Sequence, residues 1–134
     1  MRLYLVQHAD AKRARAHSGK LRAKQTAEVL AEHLNPARGV LVSKDLEPLA
    51  DPVILKRRLD ETVEDSVLVG HLPHLQKLTG HLLTSNENKL VVTFRNAGIV
   101  CLDRESGYWT IQWIITPEIL PRKLVASLHK RVHA

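Results

Sequence analysis

Two histidines stand directly after β-rich runs: His8 follows Leu3-Tyr4-Leu5-Val6-Gln7, and His71 follows Ser66-Val67-Leu68-Val69-Gly70. Imidazole changes charge near neutral pH and carries protons or attacks electrophiles, so its placement is chemically informative. One histidine at a strand end is usually a hydrogen-bonded structural residue. Two in matching positions, beside a basic segment, indicate a site. That segment runs from Ala11 to Lys24 and holds Lys12, Arg13, Arg15, Lys20, Arg22 and Lys24 with no acidic residue, while acids concentrate from Asp45 to Asp65. Taken alone, the run is a solvated loop and helix start. The net charge of +6 and pI of about 9.8 favour anionic partners without choosing among them.

The elements that would carry these residues follow from periodicity. Arg2 to Gln7 predicts a buried strand, and Lys20 to Leu34 predicts a helix, with Leu21, Ala23, Ala27, Leu30, Ala31 and Leu34 recurring at three and four and Asn35-Pro36 as the stop. Val40 to Val42 predicts a second short strand. Asp51-Pro52 predicts a helix through Leu59, with the aspartate as N-cap and proline at the first helical position. Ser66 to Gly70 predicts a strand leading through His71-Leu72-Pro73 into a helix with Leu75, Leu78, Leu82 and Leu83 on its face. Lys89 to Phe94, Gly98 to Asp103 and Tyr108 to Ile115 predict three more strands, joined by turns at Arg95-Asn96-Ala97 and Glu105-Ser106-Gly107. Strands alternating with helices predict an α/β sandwich of three layers, in which ligands gather at the carboxyl ends of the strands. His8 and His71 both fall there.

The same residues carry a resemblance. Leu5-Val6-Gln7-His8-Ala9-Asp10-Ala11 resembles the opening signature of the histidine phosphatase superfamily, in a variant with glutamine for arginine. His17-Ser18-Gly19-Lys20-Leu21-Arg22-Ala23-Lys24-Gln25-Thr26-Ala27 is similar to its second signature, a serine turn opening a helix whose arginine faces phosphate. Val67-Leu68-Val69-Gly70-His71-Leu72-Pro73 is similar to its third, and Asn96-Ala97-Gly98 before a strand is typical of SixA-type members. Three motifs in the correct order are more specific than any one.

The resemblance implies a shortened phosphoglycerate-mutase-like fold with a mostly parallel central sheet flanked by helices. It implies a phosphohistidine phosphatase with His8 as the nucleophile that becomes phosphorylated, and Arg22, His71, Gln7 and Ser18 on the phosphate oxygens. A neutral imidazole is nucleophilic near pH 7 and a guanidinium fork holds two phosphate oxygens, so no metal or other cofactor is required. An alkyl phosphate needs its leaving group protonated by a strong acid, whereas the imidazole of phosphohistidine leaves easily. Asp45, Glu47 and Asp51 are the nearest acids, with Asp10 a weaker candidate, and Asp51 reads first as an N-cap. A protein carrying phosphohistidine is therefore the expected partner, with a small phosphorylated molecule as the alternative.

Two departures bear on activity. Gln7 and Ala9 replace the usual arginine and glycine, which weakens the site. Thirteen residues separate His8 from Arg22, where relatives carry a helix and a further strand. An inactive phosphate- or phosphoprotein-binding relative is the alternative to an enzyme.

Other classes are disfavoured. The 134 residues, 44% apolar and 25% charged, suit one domain over 1–134. No apolar run reaches the roughly 18 residues needed to span a bilayer, and no basic-then-apolar leader opens the chain. The single Cys101 lies in an apolar run, which reads as a buried thiol and, with no internal disulfide, as a cytoplasmic setting. Aromatics are 4% and none interrupts the basic run, so stacking on nucleic acid is not expected. His74 and His81, seven apart, read as a helix surface bordering the core. His33 sits near a helix end, where a cation is favoured.

Overall fold

The computed structural model describes residues 1–7 and 19–117. Four strands form one sheet: β1 (Arg2–Gln7), β2 (Ser66–Gly70), β3 (Ile99–Glu105) and β4 (Tyr108–Ile115). Its order is β2-β1-β3-β4. Three helices accompany it: α1 (Gly19–Leu34), α2 (Pro52–Glu61) and α3 (His74–Thr84). The α/β class agrees with the sequence. Parallel pairing is confined to β1 and β2, while β1–β3 and β3–β4 are antiparallel, so the described sheet is mixed. The cause is local. Ser106 and Gly107 both take positive φ (54° and 83°), giving a two-residue turn whose twist matches the flanking strands and folds β4 back on β3.

β1 lies between two neighbours and is apolar on both faces, as a central strand requires. Leu3 and Leu5 join Leu55, Leu59, Leu75, Leu78, Val100, Leu102 and Trp109 in the core. Val6, pointing to the other face by strand alternation, is buried outside that cluster, as are Val29 of α1 and Cys101. Cys101 is the buried free thiol the sequence predicts, and burial pushes its pKa up.

The Asp51 cap forms as predicted. Its Oδ1 accepts from the Val53 N–H at 3.0 Å, and Pro52 occupies the first turn. At the other end of α2 the Arg104 guanidinium donates to the carbonyls of Leu59 and Thr62, the favoured place for a cation. In α1 the buried positions are Thr26 and Val29, whereas Leu34 is exposed. Thr26 tolerates burial because its hydroxyl donates to the Arg22 carbonyl at 2.9 Å.

Two predicted strands do not form. Val40 to Val42 has no ladder, and these residues are exposed. Lys89 to Phe94 also lacks a ladder, although Val92 and Phe94 are buried in the core and Leu90, Val91 and Thr93 face outward. Alternation reports which side chains are buried; a strand also needs a backbone partner. What holds this second run against α3 is Gly80. A Cβ there would stand 2.5 Å from the Lys89 carbonyl oxygen and 2.8 Å from that of Asn86. Gly80→Ala should therefore destabilise. Alanine gains about 1 kcal/mol in helix propensity, but moving two backbone carbonyls that would stand under 3.0 Å from the added carbon costs about 2–3 kcal/mol, leaving a net loss of about 1–2 kcal/mol. Urea midpoints for the two proteins test this, and an unchanged or raised midpoint contradicts the packing.

Candidate functional site

The parallel register of β1 and β2 sets the geometry. Gln7 pairs with Gly70, so β1 and β2 end at one level of the sheet, and His71 follows directly on β2. At Gly70 a Cβ would come within 3.1 Å of the Leu75 side chain, so the end of β2 packs closely on α3. His71 then accepts the Leu75 N–H on its backbone carbonyl at 2.9 Å, which starts α3. Its side chain is buried at 6% exposure. His8 and Ser18 lie outside the described residues.

Gln7 is held on three sides. Its N–H donates to the Gly98 carbonyl at 3.3 Å, its carbonyl accepts from the Ala97 N–H at 3.1 Å, and its Nε2 donates to Asn96 Oδ1 at 2.6 Å. The turn closes with the Gly98 N–H on the Arg95 carbonyl at 2.8 Å, and Ala97 takes φ of 59°. A Cβ at residue 98 would stand 2.9 Å from the Arg95 carbonyl oxygen, so glycine is required there. The Asn96-Ala97-Gly98 motif thus fixes the last residue of β1. Gln7 Oε1 is buried with no hydrogen-bond partner among the described residues.

Arg22 lies in the first turns of α1, half-buried. No acidic residue occupies the first turn of this helix, whose N-terminal amides favour anions. Ala23, Lys24 and Ala27 of α1 share a groove of 270 Å³ with Val69 and His71, which brings the amino half of the helix beside the carboxyl end of β2.

Two of the three candidate acids have structural work. Asp45 is ion-paired with Arg58, and Asp51 caps α2; Glu47 lines the groove. His33 Nδ1 lies 2.9 Å from the Val29 carbonyl, which can only accept, so that nitrogen carries the proton. His74 differs from the expected surface position. It is wholly buried, and neither ring nitrogen has a hydrogen-bond partner among the described residues. Leu75 and Leu78, one and four residues on, are equally compatible with an edge or a centre of the buried face, so the sequence pattern did not separate them. The Gln7–Asn96 pairing, spanning most of the chain, had no sequence signal beyond the Asn-Ala-Gly motif itself.

No family model and no curated protein matches the sequence. Solved structures do. The protein histidine phosphatase SixA complexed with tungstate is 19% identical with a TM-score of 0.63, covering 87% of this chain and 97% of that one. The putative phosphohistidine phosphatase SixA from Agrobacterium tumefaciens is 17% identical with a TM-score of 0.56 and the same coverage. The fold defined by the sheet and its helices is therefore of the histidine phosphatase kind, shortened. The likeness to the two SixA structures is one of fold. Among the described residues no helix is long and apolar enough to cross a membrane.

Proposed function

We propose that this chain is a phosphohistidine phosphatase in which His8 is the nucleophile and His71, Arg22, Ser18 and Gln7 hold the phosphoryl group. The observation that supports the reading is the Gln7–Gly70 register, by which the strands that precede the two histidines in sequence end at one level of the sheet. The His8 imidazole attacks phosphorus, the P–N bond to the substrate imidazole breaks, and the released imidazole takes a proton. Water then attacks the phosphohistidine on His8, releasing phosphate and the free imidazole. Arg22 forks two equatorial oxygens, and His71 donates to a third as charge shifts towards the leaving nitrogen. In this reading the cations neutralise the phosphoryl charge and no metal takes part.

The leaving group decides the substrate class. Asp45 and Asp51 are engaged in an ion pair and a helix cap, so they are poor candidates for the acid that an alkyl phosphate requires. A protein bearing phosphohistidine, met in the cytoplasm, fits best, and nucleic acid is not a partner. The test is release of inorganic phosphate from a phosphohistidine peptide in the presence of EDTA. Retention of the phosphopeptide without turnover would instead identify an inactive binding relative.

Gln7→Arg measures how far the amide limits the site. Gln7 Nε2 gives one hydrogen to Asn96, and an arginine there keeps that bond while adding donors and charge. Its burial cost is met if phosphate binds beside it. The expected gain in phosphohistidine hydrolysis is about tenfold, part of the roughly 3 kcal/mol that a well-placed donor contributes at the transition state. A loss of activity in a variant that unfolds normally would show that the amide has its own role.

A further inference from the structure

A glutamine amide carries two donors on its nitrogen and only an acceptor on its oxygen, and its last torsion is soft and two-fold. A site that uses its N–H groups must therefore hold the amide one way round. At Gln7 a single contact does so. The residue is 8% exposed, and Oε1 is buried with no hydrogen-bond partner among the described residues, so no contact on the oxygen side sets the orientation. Nε2 donates to Asn96 Oδ1 at 2.6 Å. Turned over, the amide would bring Oε1 against Oδ1, two acceptors with no hydrogen between them.

Asn96 is placed for this by bonds that its side chain does not make. The Ala97 N–H donates to the Gln7 carbonyl at 3.1 Å, the Gln7 N–H to the Gly98 carbonyl at 3.3 Å and the Gly98 N–H to the Arg95 carbonyl at 2.8 Å, so main chain alone braces the turn against the end of β1. Asn96 itself is exposed and lies outside the hydrophobic core. We propose that Asn96 is a positioning residue of the phosphoryl site: it takes one Nε2 hydrogen of Gln7 and so turns the other towards the phosphoryl group. This role rests on the phosphatase reading above, in which Gln7 holds that group. A guanidinium presents donors around most of its plane, whereas an amide presents them on one side only, so a glutamine at this position works as a donor only with a partner that orients it.

The native chain, Asn96→Ala, Gln7→Ala and the double variant are compared in kcat/KM for a phosphohistidine peptide and in affinity for inorganic phosphate, with urea midpoints to confirm that all four are folded. Asn96→Ala should lower both quantities about tenfold in the native background, the order expected for a hydrogen bond to a charged group. In the Gln7→Ala background the same change should have an effect of less than about twofold, because Asn96 acts through Gln7. Side-chain amide resonances of the 15N-labelled chain read the contact itself. One Gln7 amide proton should be displaced from the range of free amides, Asn96→Ala should abolish that displacement, and Asn96→Asp, whose carboxylate still accepts, should keep it; added phosphate should shift the other proton. Equal losses in the two backgrounds would make Asn96 merely structural and overturn the role, as would loss of the displacement in Asn96→Asp or a Gln7 amide indifferent to phosphate. The role and the activity fail separately. Turnover without coupling between residues 7 and 96 removes the role of Asn96 alone, whereas coupled phosphate binding without turnover removes the phosphatase reading and leaves that role standing.

Discussion

His71→Ala should lower phosphohistidine hydrolysis by about 10²–10³, and His8→Ala should reduce it to background, with both proteins folding normally. The two effects differ because the two roles differ. In the proposed mechanism His8 forms the bond to phosphorus, so its removal would delete the covalent route. His71 would supply a donor whose loss leaves nucleophile and guanidinium in place, and a single preorganised donor is typically worth about 3–4 kcal/mol at the transition state. Position supports the pairing: the strands end in register at Gln7 and Gly70, and His71 is buried between β2 and α3. Its substitution leaves the backbone contact to Leu75 intact, because that bond uses the His71 carbonyl and not the ring. The assay is single-turnover phosphate release, accompanied by acid-labile labelling of the protein, which His8→Ala should lose and His71→Ala should retain more slowly. Full turnover by His8→Ala would remove the covalent mechanism. Unaltered turnover by His71→Ala would remove the shared edge as the site.

The parts of this architecture that were legible in the sequence are those dictated by local chemistry. Asp51-Pro52 announces a helix start because cap and proline both act within one turn, and Ser106-Gly107 announces a hairpin because few residue pairs accept two positive φ values. The runs at Val40–Val42 and Lys89–Phe94 have the composition of strands but lack ladders, since pairing depends on a neighbour elsewhere in the chain and composition is blind to it. The site divides in the same way. The position of His71 directly after β2 was legible from its strand end, and the Asn-Ala-Gly turn from its motif; His8 lies outside the described residues. That the turn clamps Gln7 through main chain and side chain became visible only in three dimensions, because the partners are far apart in sequence.

His74 was the least legible histidine, and it makes stability depend on acid. Its ring is fully buried on α3, and both nitrogens lack hydrogen-bond partners among the described residues. Burial holds its pKa below the ordinary histidine value. Asp45 and Asp51 pull the other way, and Lys77 adds to the lowering. The folded protein therefore resists a proton that the unfolded chain accepts. Above a pH of about 6.5 His74 is neutral in both states and adds no pH dependence. As pH falls below that value the unfolded state gains the proton first, and stability drops with a slope of up to about 1.4 kcal/mol per pH unit until the folded-state pKa is reached. His74→Leu should remove this contribution. Leucine also relieves two buried polar atoms of their desolvation, so the variant should be at least as stable as the native chain at pH 8. Urea unfolding of both proteins between pH 8 and pH 5 isolates the effect, because every other titrating group is common to the pair. The stability advantage of His74→Leu should widen as the pH is lowered, by about tenfold in the folding equilibrium for each unit within the window. A constant difference across the range would mean that His74 does not titrate between the two states.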